Sequence, residues 1–269
     1  MTEKAKPHFL ITNDDGMTAP GLSALAAALQ AIGDVTVVAP NRNWSASGHA
    51  KTMHKPLRAD PGALPNGIPA IITSGCPSDA IALGLMGLAE RPIDMVIAGI
   101  NRGPNLGHDV TYSGTVTAAM EGAIGGIPSI AVSLNVWGST PTDYSIAADF
   151  AAALSQTVLD HGLPPNTLLN VNVPDLPKEA IKGMKITRMG LRIYRDKLIQ
   201  RTDPFGRPYY WIGGDPPTGV EEDGTDIGAL AQGYISITPI QLDFTAHALM
   251  EELDTWGITA NQTTEPEVL

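Results

Sequence analysis

Short apolar runs alternate with amphipathic, helix-length segments through roughly the first two thirds of the chain. Runs of four to six apolar residues predict buried strands, and apolar residues spaced three and four apart predict helices. The predicted strands are Phe9–Thr12, Val35–Ala39, Ala70–Thr73, Met95–Ala98, Ser129–Leu134 and Leu168–Val173. The predicted helices are a segment carrying Leu22, Leu25, Leu29 and Ile32, then Pro77–Ala89 with Ile81, Leu85 and Leu88 inward, Tyr112–Gly125 and Ala147–Leu159. This alternation is typical of an α/β fold with a doubly wound, mostly parallel sheet.

The pattern changes from about Pro174 onwards. Four further segments are predicted: a charged β-like stretch, Lys185–Arg195; an aromatic-rich piece, Gly206–Gly214; a strand, Tyr234–Ile240; and a helix, Thr245–Trp256. We therefore divide the chain into an α/β domain (1–173), a β-rich C-terminal arm with a terminal helix (174–260) and a tail predicted to be disordered (261–269). The aromatic residues Tyr209 to Trp211 are interpreted as interface anchors or a pocket lid, with a small satellite core under the sheet as the alternative.

Composition narrows the function classes. The 269 residues are 43% hydrophobic, enough to bury a full core, and the one cysteine, Cys76, excludes an intrachain disulfide or a CxxC zinc site. The N-terminal MTEKAKPHF lacks the apolar core of a signal peptide and no apolar stretch has membrane-spanning length, so we expect a soluble, cytoplasmic protein. The net charge of −11 argues against binding long nucleic acids, but it permits a small phosphate ester held by a metal and backbone amides.

Two adjacent carboxylates, Asp14 and Asp15, follow the first predicted strand at a turn that runs from Asn13 to Gly16. The carboxyl end of a parallel strand is where open α/β sheets keep their binding crevices. Two neighbouring carboxylates raise each other's pKa unless a cation lies between them. The pair therefore indicates either a divalent metal site or a solvated acidic turn.

Two further loops follow strands and are expected at the same edge. In the first, Ala98–Gly122, glycines at 99, 103 and 107 lead into a helix through Ser113, Gly114 and Thr115, whose amides and hydroxyls form an anion site. A glycine-rich turn with an ordinary helix cap is the alternative. The second loop, Ala39–Thr52, carries Ser45, Ser47 and His49, which either complete an oxygen-rich metal shell or belong to an ordinary polar loop.

Taken together, the loops resemble the SurE family, the stationary-phase survival proteins that act as metal-dependent 5′-nucleotidases. The resemblance lies in ITNDDG, VVAPNRNWSASGHAKT, INRGPNLGHDVTYSGTVTAAMEGAIGGIPSIAVSL and the later GTDIGALAQGYISITPIQLD, and it runs from about residue 8 to 245. It implies a Rossmann-like domain, a C-terminal region that builds homodimers or homotetramers by exchanged segments, and hydrolysis of nucleoside 5′-monophosphates. Activity on 3′-nucleotides and short polyphosphate is an extension of the same prediction. A non-catalytic metal- and nucleotide-binding protein on this scaffold is the alternative.

The resemblance also implies site residues. One Mg²⁺ or Mn²⁺ per subunit is expected on Asp14, Asp15, Ser45 and Asn101, of which Asp14, Asp15 and Asn101 are also taken as catalytic; these hard oxygen donors suit either cation. The phosphate is expected to be held by Asn13, Gly103, Gly107, Ser113, Gly114 and Thr115. Three residues, His49, Asp109 and Tyr112, are candidates for protonating the leaving oxygen, and nothing in the sequence ranks them.

Two positions depart from the family pattern. Asn41 stands where the family often has Asp, and SGCPSDA, from Ser74 to Ala80, is a variant of its usual Gly-Thr-Pro motif. The second departure is predicted to shift nucleotide preference, because that segment opens a helix at the rim of the crevice. Selectivity for the nucleoside is expected from stacking on Arg42, Trp44, Arg102 and the aromatic residues of the arm.

Overall fold

A computed structural model describes residues 6–136, 142–256 and 258. The strands are β1 (His8–Thr12), β2 (Asp34–Pro40), β3 (Ala59–Ala63), β4 (Pro69–Thr73), β5 (Met95–Arg102), β6 (Ser129–Asn135), β7 (Thr167–Pro174), β8 (Met184–Ile186), β9 (Arg192–Thr202), β10 (Pro208–Gly219) and β11 (Ile235–Gln241). The helices are α1 (Pro20–Gln30), α2 (Pro77–Leu83), α3 (Gly114–Ile124), α4 (Ser145–His161), α5 (Asp226–Ala231) and α6 (His247–Thr255). The tail predicted at 261–269 lies outside the described residues.

Nine strands form one sheet in the order β3-β4-β2-β1-β5-β6-β7-β11-β8. The pairs from β4 to β7 are parallel, whereas β3 on β4 and β11 on β7 are antiparallel. The chain passes from β1 to β2 on one side and later returns to β5 on the other side of β1. This reversal of strand order places a crevice at the carboxyl ends of the three strands, so the predicted doubly wound α/β sheet is confirmed.

Two apolar layers cover the faces of the sheet. On one face, α1 and α4 pack through residues such as Leu22, Leu25 and Ala151, all fully buried. On the other face, α2 and α3 pack through residues such as Ile81 and Val116, also fully buried. Because both faces are covered, the central strands are buried on both sides, as β1 shows with five consecutive buried residues.

Several predicted element ends are wrong. Ile32 lies beyond the end of α1, although it still packs against the core. The helix predicted over Pro77–Ala89 ends at Leu83 and continues as a π-helical turn, Gly84–Leu88, in which Gly87 adopts a left-handed φ of 138°. The helix predicted from Tyr112 begins at Gly114, because the Ser113 hydroxyl accepts a hydrogen bond from Val116 N and caps it there.

The C-terminal third joins the main sheet more closely than the sequence suggested. Strands β8 and β11 extend the nine-stranded sheet across the predicted boundary at residue 173, and α5 and β3 were not predicted at all. The charged β-like segments predicted over Lys185–Arg195 correspond to the end of β8 and the start of β9. The division of the chain into domains at 1–173 and 174–260 stays a prediction, because strands from both parts belong to the same sheet.

Strands β9 and β10 form a separate two-stranded antiparallel ribbon. On this ribbon Tyr209, Tyr210 and Trp211 are 44%, 55% and 64% exposed, so the alternative of a satellite core under the sheet is wrong. Among the described residues, no helix is both long and apolar enough to cross a bilayer.

Candidate active site at the carboxyl edge of the sheet

The loops that follow β1, β2 and β5 meet around a cavity of about 450 Å³. Its walls include seven of the residues predicted from the sequence: Asp14, Ser45, Asn101, Gly103, Asp109, Tyr112 and Ser113. The cavity lies at the point of the sheet where strand order reverses, which is the position expected for a ligand site. The parallel sheet therefore brings together groups that are up to about a hundred residues apart in sequence.

Asp14 is buried directly under the start of α3. Its Oδ1 accepts a 2.6 Å hydrogen bond from the Thr115 hydroxyl. Burial raises the pKa of the Asp14 carboxyl above its ordinary value, although the hydroxyl and the N–H groups of Gly114 and Thr115 partly offset the effect. The backbone at Gly114 lies close to Asp14 and Ser47. A Cβ at Gly114 would lie 2.7 Å from Asp14 Cβ and 3.0 Å from Ser47 Oγ, so only glycine fits there.

Asp15 is half-buried and lies next to β5. Its Oδ2 accepts a 3.1 Å hydrogen bond from the backbone N–H of Arg102. Burial, and then the neighbouring charge of Asp14, raise the pKa of Asp15 to about 6. The mutual repulsion predicted for adjacent carboxylates is therefore present in the folded chain.

Asn101 reaches the cavity because β5 is irregular near its end. The pairing of β5 with β6 shifts register between Ala98 and Asn101, and Gly99 there adopts a φ of 140°. A Cβ at Gly99 would lie 2.4 Å from the Val132 carbonyl oxygen, so the irregularity requires glycine. Such bulges re-aim side chains next to functional sites. The Asn101 amide nitrogen donates to the Gly103 carbonyl at 2.8 Å, which leaves its amide oxygen as the atom for a ligand.

The donor set fits a hard divalent cation. Among the described residues, no group of three or more His, Cys, Asp and Glu side chains is arranged to hold a metal, so a site here must combine two carboxylates with neutral oxygens. Asp14, Ser45 and Asn101 line the cavity, and Asp15 is adjacent in sequence to the first of them. Carboxylate, hydroxyl and amide oxygens are the ligands that Mg²⁺ and Mn²⁺ prefer. The raised pKa values of the two carboxyls indicate that a cation would be favourable between them.

Most of the groups predicted to bind phosphate have other partners. The Gly103 amide donates to the Leu134 carbonyl, and the Gly107 amide donates to Asp226 Oδ2 at 2.8 Å. The N–H groups of Gly114 and Thr115 favour the charged form of Asp14, as does the Thr115 hydroxyl. The anion beside these N–H groups is therefore the protein's own carboxylate, and their predicted role in holding the phosphate stays a prediction.

Asn13 supports the turn through its Nδ2, while its Oδ1 has no hydrogen-bond partner among the described residues, and its predicted role in holding phosphate stays a prediction. It is fully buried, and its Nδ2 donates to the Gly16 carbonyl at 3.0 Å, which holds the turn that carries both aspartates. Of the predicted phosphate-binding group, Gly103 and Ser113 line the cavity. Ser113 combines that position with its role as the helix cap.

The three candidates for proton transfer differ in their surroundings. His49 Nε2 lies 3.2 Å from Glu121 Oε2, an acid that also pairs with Lys51, so its ring is part of a surface ion cluster. Asp109 accepts hydrogen bonds on both carboxylate oxygens, from Arg192 and from Tyr194. Tyr112 is 61% exposed at the cavity, and its hydroxyl has no hydrogen-bond partner among the described residues.

Sequence reasoning missed three residues that shape this site. Arg192 lines the cavity and pairs with Asp109, 83 positions away. Asn105 lines the cavity and is held from β7, because its N–H donates to Asn172 Oδ1 and its carbonyl accepts from Asn170 and Asn172. Asp226 is fully buried and holds the Gly107 loop. Only Asp226 had a local signal, a Thr-Asp pair that begins a helix in a segment noted for its resemblance.

The segment Ser74–Ala80 anchors a loop. Asp79 Oδ1 accepts from Thr52 N, and its Oδ2 accepts from the Thr52 hydroxyl and from Cys76 N, at 2.9, 2.6 and 3.0 Å. These bonds fasten the end of the Ala39–Thr52 loop to the start of α2. The effect of the Ser74–Ala80 segment on nucleotide preference stays a prediction.

Comparison with known proteins agrees with this geometry. Residues 9–196 match the family model described as Survival protein SurE. The chain is 49% identical to the 5′-nucleotidase SurE of Chloroflexus aggregans, across 93% of this chain and 98% of that protein. It is 51% identical to the 5′-nucleotidase SurE of Herpetosiphon aurantiacus, across 92% and 97%. The crystal structure of the SurE protein from Aquifex aeolicus superimposes with a TM-score of 0.77 at 42% identity, covering 93% and 99%. The chain therefore belongs to the SurE family.

Proposed function

We propose that the protein is a metal-dependent 5′-nucleotidase that hydrolyses nucleoside 5′-monophosphates to nucleoside and phosphate. The observation that carries the proposal is the cavity in which the carboxylate of Asp14 meets Ser45, Asn101 and Ser113 at the switch point of the sheet. Two relatives that match over nine tenths of the chain are named 5′-nucleotidase SurE, which supports the same activity.

In this proposal Asp14, Asp15, Ser45 and Asn101 hold one Mg²⁺ or Mn²⁺ per subunit. When bound, the cation neutralises phosphoryl charge and lowers the pKa of an attacking water. The residues of the chain supply the geometry. Thr115 fixes the Asp14 carboxylate through its 2.6 Å hydrogen bond, and the bulge in β5 brings Asn101 to the cavity. Preorganised polar groups of this kind need no reorganisation during the reaction, which is why they accelerate it.

Of the three candidate proton donors, Tyr112 is the one that this geometry favours for the leaving 5′-oxygen. Its hydroxyl has no hydrogen-bond partner among the described residues, and it stands at the cavity wall. Asp109 is unsuited, because both of its oxygens are already engaged, by Arg192 and by Tyr194. His49 is held by Glu121 instead.

The nucleoside is recognised through stacking in this proposal. Tyr112 offers an exposed ring at the cavity wall, and the Arg42 guanidinium lies 4.4 Å from the centre of the Trp44 ring in the neighbouring loop. Stacking tolerates every base and contributes about 1–3 kcal/mol per base, so we expect broad use of nucleoside monophosphates with purines favoured. The same site would accept 3′-nucleotides and short polyphosphate more weakly.

We also propose that the protein works as a homodimer or homotetramer. The β9–β10 ribbon carries apolar side chains that the described part of the chain leaves uncovered; Leu198, Trp211 and Ile212 are 74%, 64% and 83% exposed. Apolar patches of this kind mark interaction surfaces.

The test is phosphate release from AMP and GMP. Activity should require Mg²⁺ or Mn²⁺, vanish with a chelator and return with added metal, and AMP should be used far more efficiently than glycerol phosphate. Metal and nucleotide binding without turnover would favour the non-catalytic alternative. Equal efficiency on glycerol phosphate would favour a general phosphatase.

A further inference from the structure

The site has to bind a dianionic phosphate in a protein of net charge −11, next to two carboxylates. The backbone amides of Gly103 and Gly107, two of those predicted to bind it, are used within the protein. The two cationic side chains among the residues lining the cavity are Arg102 and Arg192. Arg102 interacts with the Tyr144 hydroxyl, whereas Arg192 is held by an acid that itself lines the cavity, Asp109, so Arg192 is the cation to consider.

Arg192 is held unusually firmly for an arginine. Its side chain is 5% exposed, and its Nε donates to Asp109 Oδ2 at 2.6 Å. The stem packs against the chain near Gly107, where a Cβ would lie 3.2 Å from Arg192 Cγ. Since Nε is the atom that pairs with Asp109, the two terminal nitrogens of the guanidinium remain to bind an anion.

Asp109 is itself fixed. Its other oxygen accepts a hydrogen bond from the Tyr194 hydroxyl, and Tyr194 lies two residues beyond Arg192 on β9. Burial and this hydrogen bond raise the pKa of Tyr194 to about 12, so the phenol keeps the proton that it donates. Asp109 therefore positions the Arg192 side chain and is not the proton donor of the site.

A buried carboxylate, Asp226, fixes the positions of Asp109 and Arg192 relative to each other. Asp226 Oδ2 accepts from Gly107 N at 2.8 Å, and its Oδ1 accepts from Gly190 N and Ile227 N at 2.7 and 2.8 Å. Gly107 and Gly190 each precede one member of the pair by two residues. Asp226 thus joins the loop that carries Asp109 to the segment that carries Arg192.

We propose that Arg192 is a phosphate-binding residue of this site, presented by Asp109 and Tyr194, with Asp226 as the positioning residue behind them. The inference rests on the proposed nucleotidase function for the identity of the substrate, but not for the binding of phosphate. Arginine suits the task because its planar guanidinium can give two parallel hydrogen bonds to phosphate oxygens. The phosphate group would then lie between Arg192 and the residues that hold the metal.

The experiment compares wild type with Arg192→Gln and Arg192→Lys. Binding of inorganic phosphate is measured by calorimetry with and without Mn²⁺, and kcat and KM for AMP are measured separately. Arg192→Gln should weaken phosphate binding at least tenfold in both conditions and lower kcat/KM about 10²-fold, the usual effect of losing a transition-state contact. Arg192→Lys should recover part of the phosphate affinity, because it restores the charge without the planar fork.

Arg188→Gln is the matched control. Arg188 lies in the same segment and pairs with Glu222 at the surface, where its side chain is 59% exposed. Phosphate affinity and kcat/KM of this variant should stay within twofold of wild type.

A double variant, Asp109→Asn with Arg192→Gln, controls for loss of folding in the single variant. Removing one partner of a buried ion pair is costly, whereas removing both leaves no unpaired charge. The double variant should therefore fold and show the same loss of phosphate affinity as Arg192→Gln. If Arg192→Gln does not fold, the phosphate affinity of the double variant tests the role of Arg192.

The outcomes separate the two proposals. A folded Arg192→Gln or double variant that binds phosphate within threefold of wild type overturns the role of Arg192, as does wild-type protein that binds no phosphate. If wild type binds phosphate through Arg192 but releases none from AMP, the proposed nucleotidase fails while Arg192 keeps its assignment.

Discussion

The Thr115 hydroxyl donates a 2.6 Å hydrogen bond to Asp14 Oδ1 and so joins the start of α3 to the turn after β1, across 101 positions of sequence. Both groups are buried, so the bond forms away from competing water. Its consequence is that a carboxylate expected to face a metal has one oxygen fixed by the protein. Thr115, which was predicted to hold phosphate, thus positions a predicted metal ligand.

Thr115→Val should lower both stability and activity. The substitution keeps the shape but removes the donor, leaving Asp14 under-satisfied in a buried setting, which costs about 1–3 kcal/mol. Chemical denaturation should show that loss, and kcat/KM for AMP should fall about tenfold. Thr115→Ser, which retains the hydroxyl, is the control and should keep most of the activity. Equal activity of the Val and Ser variants would contradict the positioning role.

Asp14→Asn should abolish metal-dependent turnover while the protein stays folded. A neutral amide cannot compensate a divalent cation, so we expect a loss of about 10²-fold or more in kcat. Titration of Mn²⁺ followed by thermal unfolding should show a smaller stabilisation than in wild type. The control is Asp34→Asn, at a carboxylate with a 54% exposed side chain. Full activity of Asp14→Asn in the presence of chelator would exclude the metal site.

Asp226→Asn should destabilise the protein by about 2–3 kcal/mol. Three backbone N–H groups donate to this carboxylate, and an amide would turn an NH₂ group towards at least one of them. Urea denaturation measures the change. Asp223→Asn, three residues earlier with an 83% exposed side chain, is the control and should leave the urea midpoint close to that of wild type.

Asp79→Asn should destabilise the protein in a way that depends on pH. Burial raises the pKa of Asp79, but hydrogen bonds from Thr52 and Cys76 outweigh it, so the pKa in the folded state lies below 3.8. A depressed pKa stabilises the fold above the unfolded value and loses that contribution as pH falls through the folded value. The difference in unfolding free energy between wild type and Asp79→Asn should therefore be larger at pH 7 than at pH 3. Asp60→Asn, at an exposed position of β3, should show no comparable difference.

Replacing Trp211 and Ile212 by Ser should reduce the assembly size. Both side chains are exposed on the β9–β10 ribbon of the single chain, and an oligomer would bury them. Light scattering at micromolar concentration should show a dimer or tetramer for wild type and a smaller species for the variant. Wild type that remains a monomer would contradict the assembly proposal.

The parallel sheet could be predicted because both of its faces are covered. Buried strands such as β1 and β5 contain runs of consecutive apolar residues, and the helices between them show one apolar face. Strand β3 escaped prediction because its sequence, ADPGA, has no apolar run; it forms the edge of the sheet by antiparallel pairing with β4. Strands β8 and β11 were assigned to an arm because their place in the main sheet depends on non-local pairing.

By itself, the sequence determined which chemical groups follow each strand: two carboxylates after β1, hydroxyls after β2, and an amide and glycines near the end of β5. Parallel strands end at one edge, so those groups had to share a crevice. Only the tertiary structure decided which of them are committed to partners inside the protein. Thr115 binds Asp14, the Gly107 amide binds Asp226, and Asp109 binds an arginine 83 positions away. Hydrogen bonds between distant residues depend on packing in three dimensions, and no local pattern in a single chain encodes them.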